Sequence, residues 1–147
     1  MLRVIADVLR EKGDDVWSIA PTAAMSDAMK LMAEKRTGAL LVLSADELVG
    51  VITMRDCVRK VILAGRSVDE ALVGESMSSP VVFVGLEHTV GDCLRIMTEK
   101  GIAHLPVVAD GRLVGVVSRG DLLRSLVKTQ SATIGHLEAY ITGKYPG

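Results

Sequence analysis

The chain contains one sequence unit twice. Shifting the 147 residues by 65 positions aligns residues 16–60 with residues 81–125 without a gap, and 13 of these 45 pairs are identical. An internal repeat of this length constrains the fold more than composition does, because each copy must form the same supersecondary unit. We therefore predict two copies of one structural unit, facing each other across a pseudo-two-fold axis and packed as one module.

Each copy has a pattern of strand, helix, strand, strand and helix, so the predicted fold class is α+β. Short β-branched runs predict the strands, and apolar residues spaced i, i+3, i+4 and i+7 predict the helices. The dipeptide Asp110-Gly111 favours a hairpin turn in the second copy, and Ala45-Asp46 is its weaker counterpart in the first. The predicted strands are residues 16–19, 40–43 and 49–52 in the first copy and residues 81–84, 106–108 and 113–117 in the second.

The remaining segments are predicted to be helices that pack against the repeats. A capping-box pattern at Ser67–Glu70 predicts a short helix through Leu72. The last helix of each repeat is predicted to begin near Thr53 or Ser118. The predicted division of the chain is an N-terminal helix (1–15), the first repeat (16–63), a linker with a short helix (64–80), the second repeat (81–127) and a C-terminal helix (128–147).

Composition argues against several classes of protein. The 17 basic and 18 acidic residues form no run of either sign, and only 3% of the residues are aromatic, so a nucleic-acid partner is not expected. No apolar stretch approaches the roughly 20 residues of a membrane span, and the first residues lack the pattern of a signal peptide. Cys57 and Cys93 are isolated thiols at apolar helix positions. We expect a soluble, cytoplasmic protein with reduced cysteines and no membrane partner.

Sequence patterns of catalysis are not found. The chain has no GxSxG, HExxH or GxGxxG pattern and no intact Walker A motif. The three histidines, His88, His104 and His136, lie on unrelated segments without ligand spacing. We therefore predict that the protein is not an enzyme, has no catalytic residues and holds no metal.

The most distinctive motif is a hydroxyl residue at a strand end followed three residues later by aspartate. It occurs as GVITMRD at residues 50–56 and as GVVSRGD at residues 115–121. One interpretation is structural, because S/T-x-x-D is a capping pattern at helix starts. The other is functional: a helix N-terminus attracts phosphate, the hydroxyl adds a donor, and the aspartate can accept both hydroxyls of a ribose. Occurrence in both copies favours the functional interpretation.

These residues resemble a known family. The β-α-β-β-α unit, the two S/T-x-x-D motifs and the strand Ala103–Val108 are similar to the CBS domain, and the resemblance covers about Ile5 to Val127. Tandem CBS pairs, or Bateman modules, regulate other proteins by binding adenosine nucleotides. The resemblance implies a stand-alone regulatory pair that holds AMP, ADP, ATP or NAD in the cleft between the repeats and signals to an unidentified effector protein.

The resemblance also implies two ligand sites, each mixing residues of both repeats. Arg55 precedes the first aspartate, whereas Gly120 precedes the second and Arg119 is displaced by one position, so the two sites are not expected to be equivalent. Trp17 also fits a core position, and His104 also fits a half-buried strand position. The implied residues are Thr53, Arg55 and Asp56 with Ala39, Met77, Val82 and Ile102 in the first site, and Ser118, Arg119, Gly120 and Asp121 with Lys12, Trp17, Thr37, Gly38, Ala103 and His104 in the second.

One further expectation concerns assembly. The helices carry more apolar width than one core contact requires, through Ala24, Ala28, Leu31, Cys93 and Ile96. Since a helix that covers a sheet needs one apolar stripe of about 100°, this width predicts a homodimer built on these helices.

The alternative function is a nucleotide-independent oligomerisation or interaction module whose S/T-x-x-D motifs serve only as helix caps.

Overall fold

The computed structural model describes residues 2–128, so the predicted C-terminal helix lies outside the described residues apart from Lys128. The order of helices and strands follows the repeat pattern except at the first strand of the second repeat. The elements are α1 (Ile5–Lys12), β1 (Ser18–Ile19), α2 (Met25–Lys35), β2 (Ala39–Ser44), β3 (Glu47–Thr53), α3 (Met54–Asp56) with its π-helical continuation Cys57–Ile62, α4 (Val73–Ser76), α5 (Val90–Lys100), β4 (His104–Ala109), β5 (Arg112–Ser118) and α6 (Arg119–Lys128).

The chain divides into two compact units that do not follow the order of the repeats. The continuous unit is residues 15–82, which hold the first repeat and the linker. The discontinuous unit joins the segment up to Asp14 to the chain from Phe83 onward. Helix α1 therefore packs with the second repeat, against β5 and α6, although it precedes the first repeat in sequence.

Each unit contains a β-hairpin with the same irregularities. Both turns are two-residue loops with positive φ at both positions, 51° and 65° at Ala45-Asp46 and 52° and 73° at Asp110-Gly111. This is the type I′ geometry, whose twist matches that of paired strands. The register shifts after Val42 in one hairpin and after Val107 in the other. These two positions are related by the 65-residue repeat.

The first strand of each repeat is shorter than predicted. In the continuous unit only Ser18–Ile19 pairs, parallel to β2, which completes a three-stranded sheet. In the discontinuous unit the predicted strand 81–84 is reduced to one parallel bridge between Val84 and Val107. The chain then leaves the sheet, because Leu86 and His88 direct their carbonyl groups to the first amides of α1.

Helices α2 and α5 bury the predicted apolar stripes. Met25, Ala28 and Met32 lie in the core of the continuous unit, and Cys93 and Met97 are equally buried in α5. Ala28 and Cys93 were expected to widen an exposed face, and this expectation is wrong because both are inaccessible to solvent. Burial also raises the pKa of the Cys57 thiol and raises that of Cys93 to about 11. Both cysteines are therefore held as thiols.

The linker has its helix later than predicted. Residues 68–70 form a turn, and the helix is α4, whose start is capped by the Glu75 carboxylate accepting from Leu72 N–H at 2.8 Å. The predicted helix through Leu72 is wrong because the Val68 carbonyl accepts from Ser26 N–H of the first repeat and Leu72 N–H donates to Glu75, so the helical bond between Leu72 and Val68 does not form. The linker thus packs on the first repeat as the α1 segment packs on the second.

Candidate functional site

The first S/T-x-x-D motif forms a compact box at the end of β3. The Thr53 hydroxyl oxygen accepts from Asp56 N–H at 3.1 Å, and Asp56 Oδ2 accepts from Thr53 N–H at 3.0 Å. The same Oδ2 accepts from the Thr53 hydroxyl at 2.9 Å. These contacts satisfy amides at the helix start, so the capping geometry is present. We call Thr53–Asp56 the first box.

The second motif repeats this geometry at the end of β5. Asp121 Oδ2 accepts from Ser118 N–H at 2.8 Å, and Ser118 Oγ accepts from Asp121 N–H at 3.1 Å. We call Ser118–Asp121 the second box. In both boxes the capping bonds engage Oδ2 and leave Oδ1 to other partners.

Cations neutralise both carboxylates, and they come from different elements. In the first box, Lys60 Nζ lies 3.3 Å from Asp56 Oδ1 and donates to Ser76 O at 2.9 Å. In the second box, Lys12 Nζ of α1 lies 2.9 Å from Asp121 Oδ2, and Arg124 lies 2.8 Å from Oδ1. The two aspartate side chains are only 13% and 11% exposed, so these contacts form with little solvent screening.

The pKa of Asp121 shows the balance of these contacts. Burial raises this pKa, but the hydrogen bond from Ser118 N–H and the Lys12 ammonium lower it more strongly. The pKa of Asp121 therefore lies below its ordinary value. The carboxylate is ionised at neutral pH and acts only as an acceptor.

A glycine in each motif allows a neighbouring segment to approach the strand closely. A Cβ at Gly50 would lie 2.5 Å from the sulfur of Met77, and a Cβ at Gly115 would lie 2.9 Å from Cδ2 of Leu9. A side chain at Gly50 or Gly115 would force Met77 or Leu9 to move its side chain, and at Gly50 it would also lie 3.1 Å from the Ser78 carbonyl oxygen. The glycines therefore keep each packing segment close to its box.

The residues that precede each hairpin lie beside the box of the same unit. Gly38 O accepts from Met54 N–H at 2.9 Å in the continuous unit. In the discontinuous unit, Ala103 O accepts from Arg119 N–H at 2.9 Å and Ile102 O accepts from the Arg119 guanidinium at 3.0 Å. Register completes this arrangement, because Ala39 pairs with Thr53 and His104 with Ser118.

Three predicted site residues lie in the unit of their own repeat. A hairpin places the residues before its first strand beside the end of its second strand, so Gly38 contacts the first box and Ile102 contacts the second. The assignment of Thr37 and Gly38 to the second site and of Ile102 to the first requires residues of both repeats in each site, and it stays a prediction. Lys12, Ala103 and His104 lie in the unit of the second box.

His104 is held in its neutral form by its surroundings. Burial lowers the pKa of its imidazole, the Asp121 carboxylate raises it, and the cations of Lys12 and Arg119 lower it further. The net effect is a pKa below the ordinary value of about 6.5. At neutral pH this side chain offers one donor and one acceptor beside the second box.

The two repeats match a known family. The family model described as the CBS domain matches residues 5–63 and residues 70–128. The chain belongs to the CBS domain family. It is a tandem CBS pair, so the predicted family and the α+β class with two repeats are confirmed.

Individual relatives agree with this assignment. The chain is 37% identical over 150 residues to the CBS domain-containing protein CBSX3, mitochondrial, of Arabidopsis thaliana, and the match covers 96% of this chain and 73% of that protein. A solved structure of a protein with CBS domains from Burkholderia ambifaria MC40-6 is 38% identical, with a TM-score of 0.84 over 86% of this chain and 96% of that chain.

A more distant structure shares the fold. The CBS domain pair of protein MJ0100, solved in complex with 5′-methylthioadenosine and S-adenosyl-L-methionine, is 22% identical, with a TM-score of 0.76 over 88% of this chain and all of that chain. Within residues 2–128 of the present CBS pair, none of the helices has the length and apolar character needed to cross a membrane. Cytoplasmic location stays a prediction, since one relative is named as mitochondrial.

The other predicted site residues have varied surroundings in the CBS pair. Arg55 is exposed, and no other group within the described residues pairs with its guanidinium. A Cβ at Gly120 would lie 3.3 Å from the end of the Arg124 side chain and 3.7 Å from Ser118 Oγ. Trp17 is partly exposed and carries the Lys35 ammonium 4.5 Å above its ring, so it is not a core residue. Met77 and Val82 lie in the unit of the first box.

Sequence reasoning missed the cations that neutralise the aspartates from their own helices. Lys60 follows Asp56 by four residues, and Arg124 follows Asp121 by three. Both spacings place the charges on one helix face. This spacing could have predicted both ion pairs, because a basic residue one helical turn after a carboxylate at the helix start is placed to pair with it.

Proposed function

We propose that this regulatory CBS-pair protein binds an adenosine-containing ligand at each box. The observation that carries the proposal is the duplicated box, with a strand-end hydroxyl, a mostly buried aspartate, and a cation within 3.3 Å of that aspartate. Two copies of one motif with the same internal geometry are more than helix capping requires.

The chemistry of each box suits the ribose and phosphate of a nucleotide. Oδ1 of the aspartate is free of capping bonds, and a carboxylate oxygen can accept from both hydroxyls of a ribose. The Thr53 or Ser118 hydroxyl and the cations nearby can bind phosphate oxygens. We assign Thr53, Arg55 and Asp56 to this role in the first box and Ser118, Gly120 and Asp121 in the second.

The base is assigned to the segments beside each box. Thr37–Ala39 accompany the first box and Ile102–His104 the second, and both present backbone groups next to an apolar strand. Met77 provides an apolar surface over Gly50 in the first site. Neutral His104 can hydrogen-bond to the ligand of the second site without adding charge. The ligand is AMP, ADP, ATP, NAD or a related adenosine compound.

Two other observations support an adenosine ligand. The chain is a tandem CBS pair, and the structurally similar pair of MJ0100 was solved with 5′-methylthioadenosine and S-adenosyl-L-methionine. We further propose that ligand binding changes the conformation of the pair and that an effector protein responds to this change. Such a change requires the ligand to bind one conformation more tightly than another.

The alternative function is an interaction module that binds no nucleotide. It is favoured by one specific observation: every capping contact expected of S/T-x-x-D is formed in both boxes. Under this alternative the cations serve only to neutralise the partly buried aspartates.

A thermal-shift panel tests the proposal directly. Ligand-free protein, prepared by unfolding and refolding, is heated with AMP, ADP, ATP, NAD and S-adenosylmethionine in turn. A ligand at about 100 times its Kd stabilises the fold by about 2.7 kcal/mol, which raises Tm by several degrees. If none of the five ligands raises Tm at millimolar concentration, the interaction module is the better interpretation.

A further inference from the structure

A small charged cavity lies between α1 and α6 of the discontinuous unit. Its volume is about 170 Å³, which is below the roughly 300 Å³ of the smallest pockets that bind drug-sized ligands. The occupant must therefore be small, or be only one group of a larger molecule. The cavity is lined by Val8, Glu11 and Lys12 of α1 and by Asp121, Arg124, Ser125 and Lys128 of α6.

The lining has an excess of positive charge. Lys12, Arg124 and Lys128 face only two carboxylates, and both of these are already engaged. Asp121 pairs with Lys12 and Arg124, and Glu11 pairs with Arg3. Lys128 is the least engaged cation, since its ammonium lies 3.9 Å from Glu11 and its side chain is 62% exposed. A metal cation would have to displace these ammonium and guanidinium groups, whereas an anion can join them.

A buried hydroxyl in the same cavity points to the same kind of ligand. Ser125 is only 3% exposed, and its Oγ has no hydrogen-bond partner among the described residues. An unpaired buried hydroxyl costs free energy, about 1–3 kcal/mol by mutational measurements. Ser125 is also one of the residues that line the cavity, beside Arg124 and Lys128, so its O–H is the hydroxyl nearest to a ligand held there.

We propose that this cavity binds a phosphate group, through the Ser125 hydroxyl, the Lys128 ammonium and the remaining N–H groups of Arg124. The proposal does not require a nucleotide at the boxes. Asp121 belongs both to the second box and to the cavity lining, so the phosphate is either free phosphate or the end of a phosphate chain whose ribose is held at that box.

Titration with inorganic phosphate, followed by amide chemical shifts of the full chain, tests the site. Sodium chloride at equal ionic strength controls for general screening. We expect shifts confined to α1 and α6 and a saturable Kd. Lys128→Gln should weaken phosphate binding about tenfold, since it removes a charge-assisted hydrogen bond. Ser125→Ala should weaken it several-fold without lowering Tm in phosphate-free buffer.

Lys100→Gln is the matched control, because Lys100 is an exposed lysine at the end of α5 in the same unit and lies outside the cavity. It should bind phosphate like the wild type. The proposal is overturned if phosphate gives no saturable shifts beyond those of chloride, or if the Lys128 and Lys100 variants bind equally. Lys128 is exposed, so its variant tests the site even if Ser125→Ala does not fold.

Adenosine and ATP identify the source of the phosphate. If ATP competes with phosphate, and Lys128→Gln weakens binding of ATP but not of adenosine, the cavity holds the phosphate chain of a nucleotide. If ATP and phosphate bind independently, the cavity holds a free anion. Either result supports the site. Failure of adenosine and ATP to bind, with phosphate binding intact, would count against the boxes as nucleotide sites and not against this cavity.

Discussion

The Lys12 ammonium joins two parts of the second repeat, at 2.9 Å from Asp121 Oδ2 and 2.7 Å from Val116 O. The residue related to Lys12 by the 65-residue repeat is Met77, which packs on Gly50 and carries no charge. The first box is neutralised instead from within its own helix, by Lys60. The two boxes therefore share a hydroxyl and a carboxylate but differ in the source and position of the positive charge.

Asp56→Asn and Asp121→Asn should each abolish one class of ligand site while the protein still folds. Asparagine keeps an oxygen that can accept the capping bond but loses the charge and one acceptor that a ribose diol needs. Calorimetric titration of each variant should give half the wild-type stoichiometry.

The chain supplies a matched control at Asp92. Thr89 and Asp92 form the same capping contact, with Asp92 N–H donating to Thr89 Oγ1 at 3.0 Å, but at the start of α5 and away from a strand end. Asp92→Asn should change stability by about 1 kcal/mol or less and leave ligand affinity unchanged. If stoichiometry and Kd are unchanged in both Asp56→Asn and Asp121→Asn, the two aspartates serve only as helix caps.

Arg55→Gln should weaken the binding of phosphorylated ligands at the first site only. Arg55 is exposed beside Asp56, whereas the corresponding position of the second box is Gly120. A charge-assisted hydrogen bond is about twice as strong as a neutral one, so the loss should be about tenfold for ATP and small for adenosine. Arg119→Gln is the comparison variant, since Arg119 donates to Ile102 O. Equal weakening of both sites by Arg55→Gln contradicts the predicted difference.

Lys12→Met should reduce stability and alter its dependence on pH. The pKa of Asp121 is lowered in the folded state, so the contribution of this group is complete above the unfolded value of about 3.9 and is lost as pH falls through the folded pKa. Removing Lys12 should cost about 1–2 kcal/mol at pH 7 and move the onset of acid unfolding to higher pH. Urea unfolding between pH 2 and 7 measures both effects, with Lys100→Met as the control. If the free energy of unfolding falls at the same pH in Lys12→Met and in the wild type, Lys12 does not set the pKa of Asp121.

His104→Gln should flatten the pH dependence of stability just below neutrality. The pKa of folded His104 is lowered, so the unfolded chain takes up this proton more readily as pH falls below about 6.5. The wild type should therefore lose stability from about pH 6.5 down to the folded pKa, and the variant should lose less. Urea midpoints from pH 5 to 8 give this comparison. Identical slopes for the two proteins in that window would refute it.

A homodimer remains a prediction, and the structure suggests different residues for its interface. Leu31 and Ile96 are half-buried, whereas Ile62 and Leu123 are each 47% exposed on the helices that follow the two boxes. If a second copy covers these helices, Ile62→Glu with Leu123→Glu should yield monomers, and Leu31→Glu with Ile96→Glu should not. Light scattering at micromolar concentration decides between the two faces. A wild-type mass near 15.7 kDa contradicts the dimer itself.

Much of the fold could be predicted from the sequence because the same signals occur twice. The hairpins, the apolar stripes of α2 and α5 and the boxes all follow from local residue patterns. The grouping of Gly38 with Met54 could also have been predicted, by counting back from the two-residue turn at Ala45-Asp46 through the hairpin register.

Other features could not be predicted from periodicity. The apolar face of α1, with Ile5, Val8 and Leu9, shows that the helix packs against something but does not identify the repeat that it covers. The contact of Lys12 with Asp121 depends on that choice, because the two residues are far apart in sequence. The cavity beside Ser125 arises only where α1 and α6 meet.

Helix α1 precedes the first repeat in sequence but folds with the second, and this order determines when each unit can fold during translation. Helix α1 is translated before either repeat, yet its hydrogen bond from Lys12 is to Val116, 104 residues later. At about 5–20 residues per second, roughly 5–20 seconds pass before that partner is translated. The continuous unit can fold during this interval from residues that have already emerged. The discontinuous unit cannot, so α1 waits with its apolar face exposed, and the second box is completed only after Asp121 has been translated.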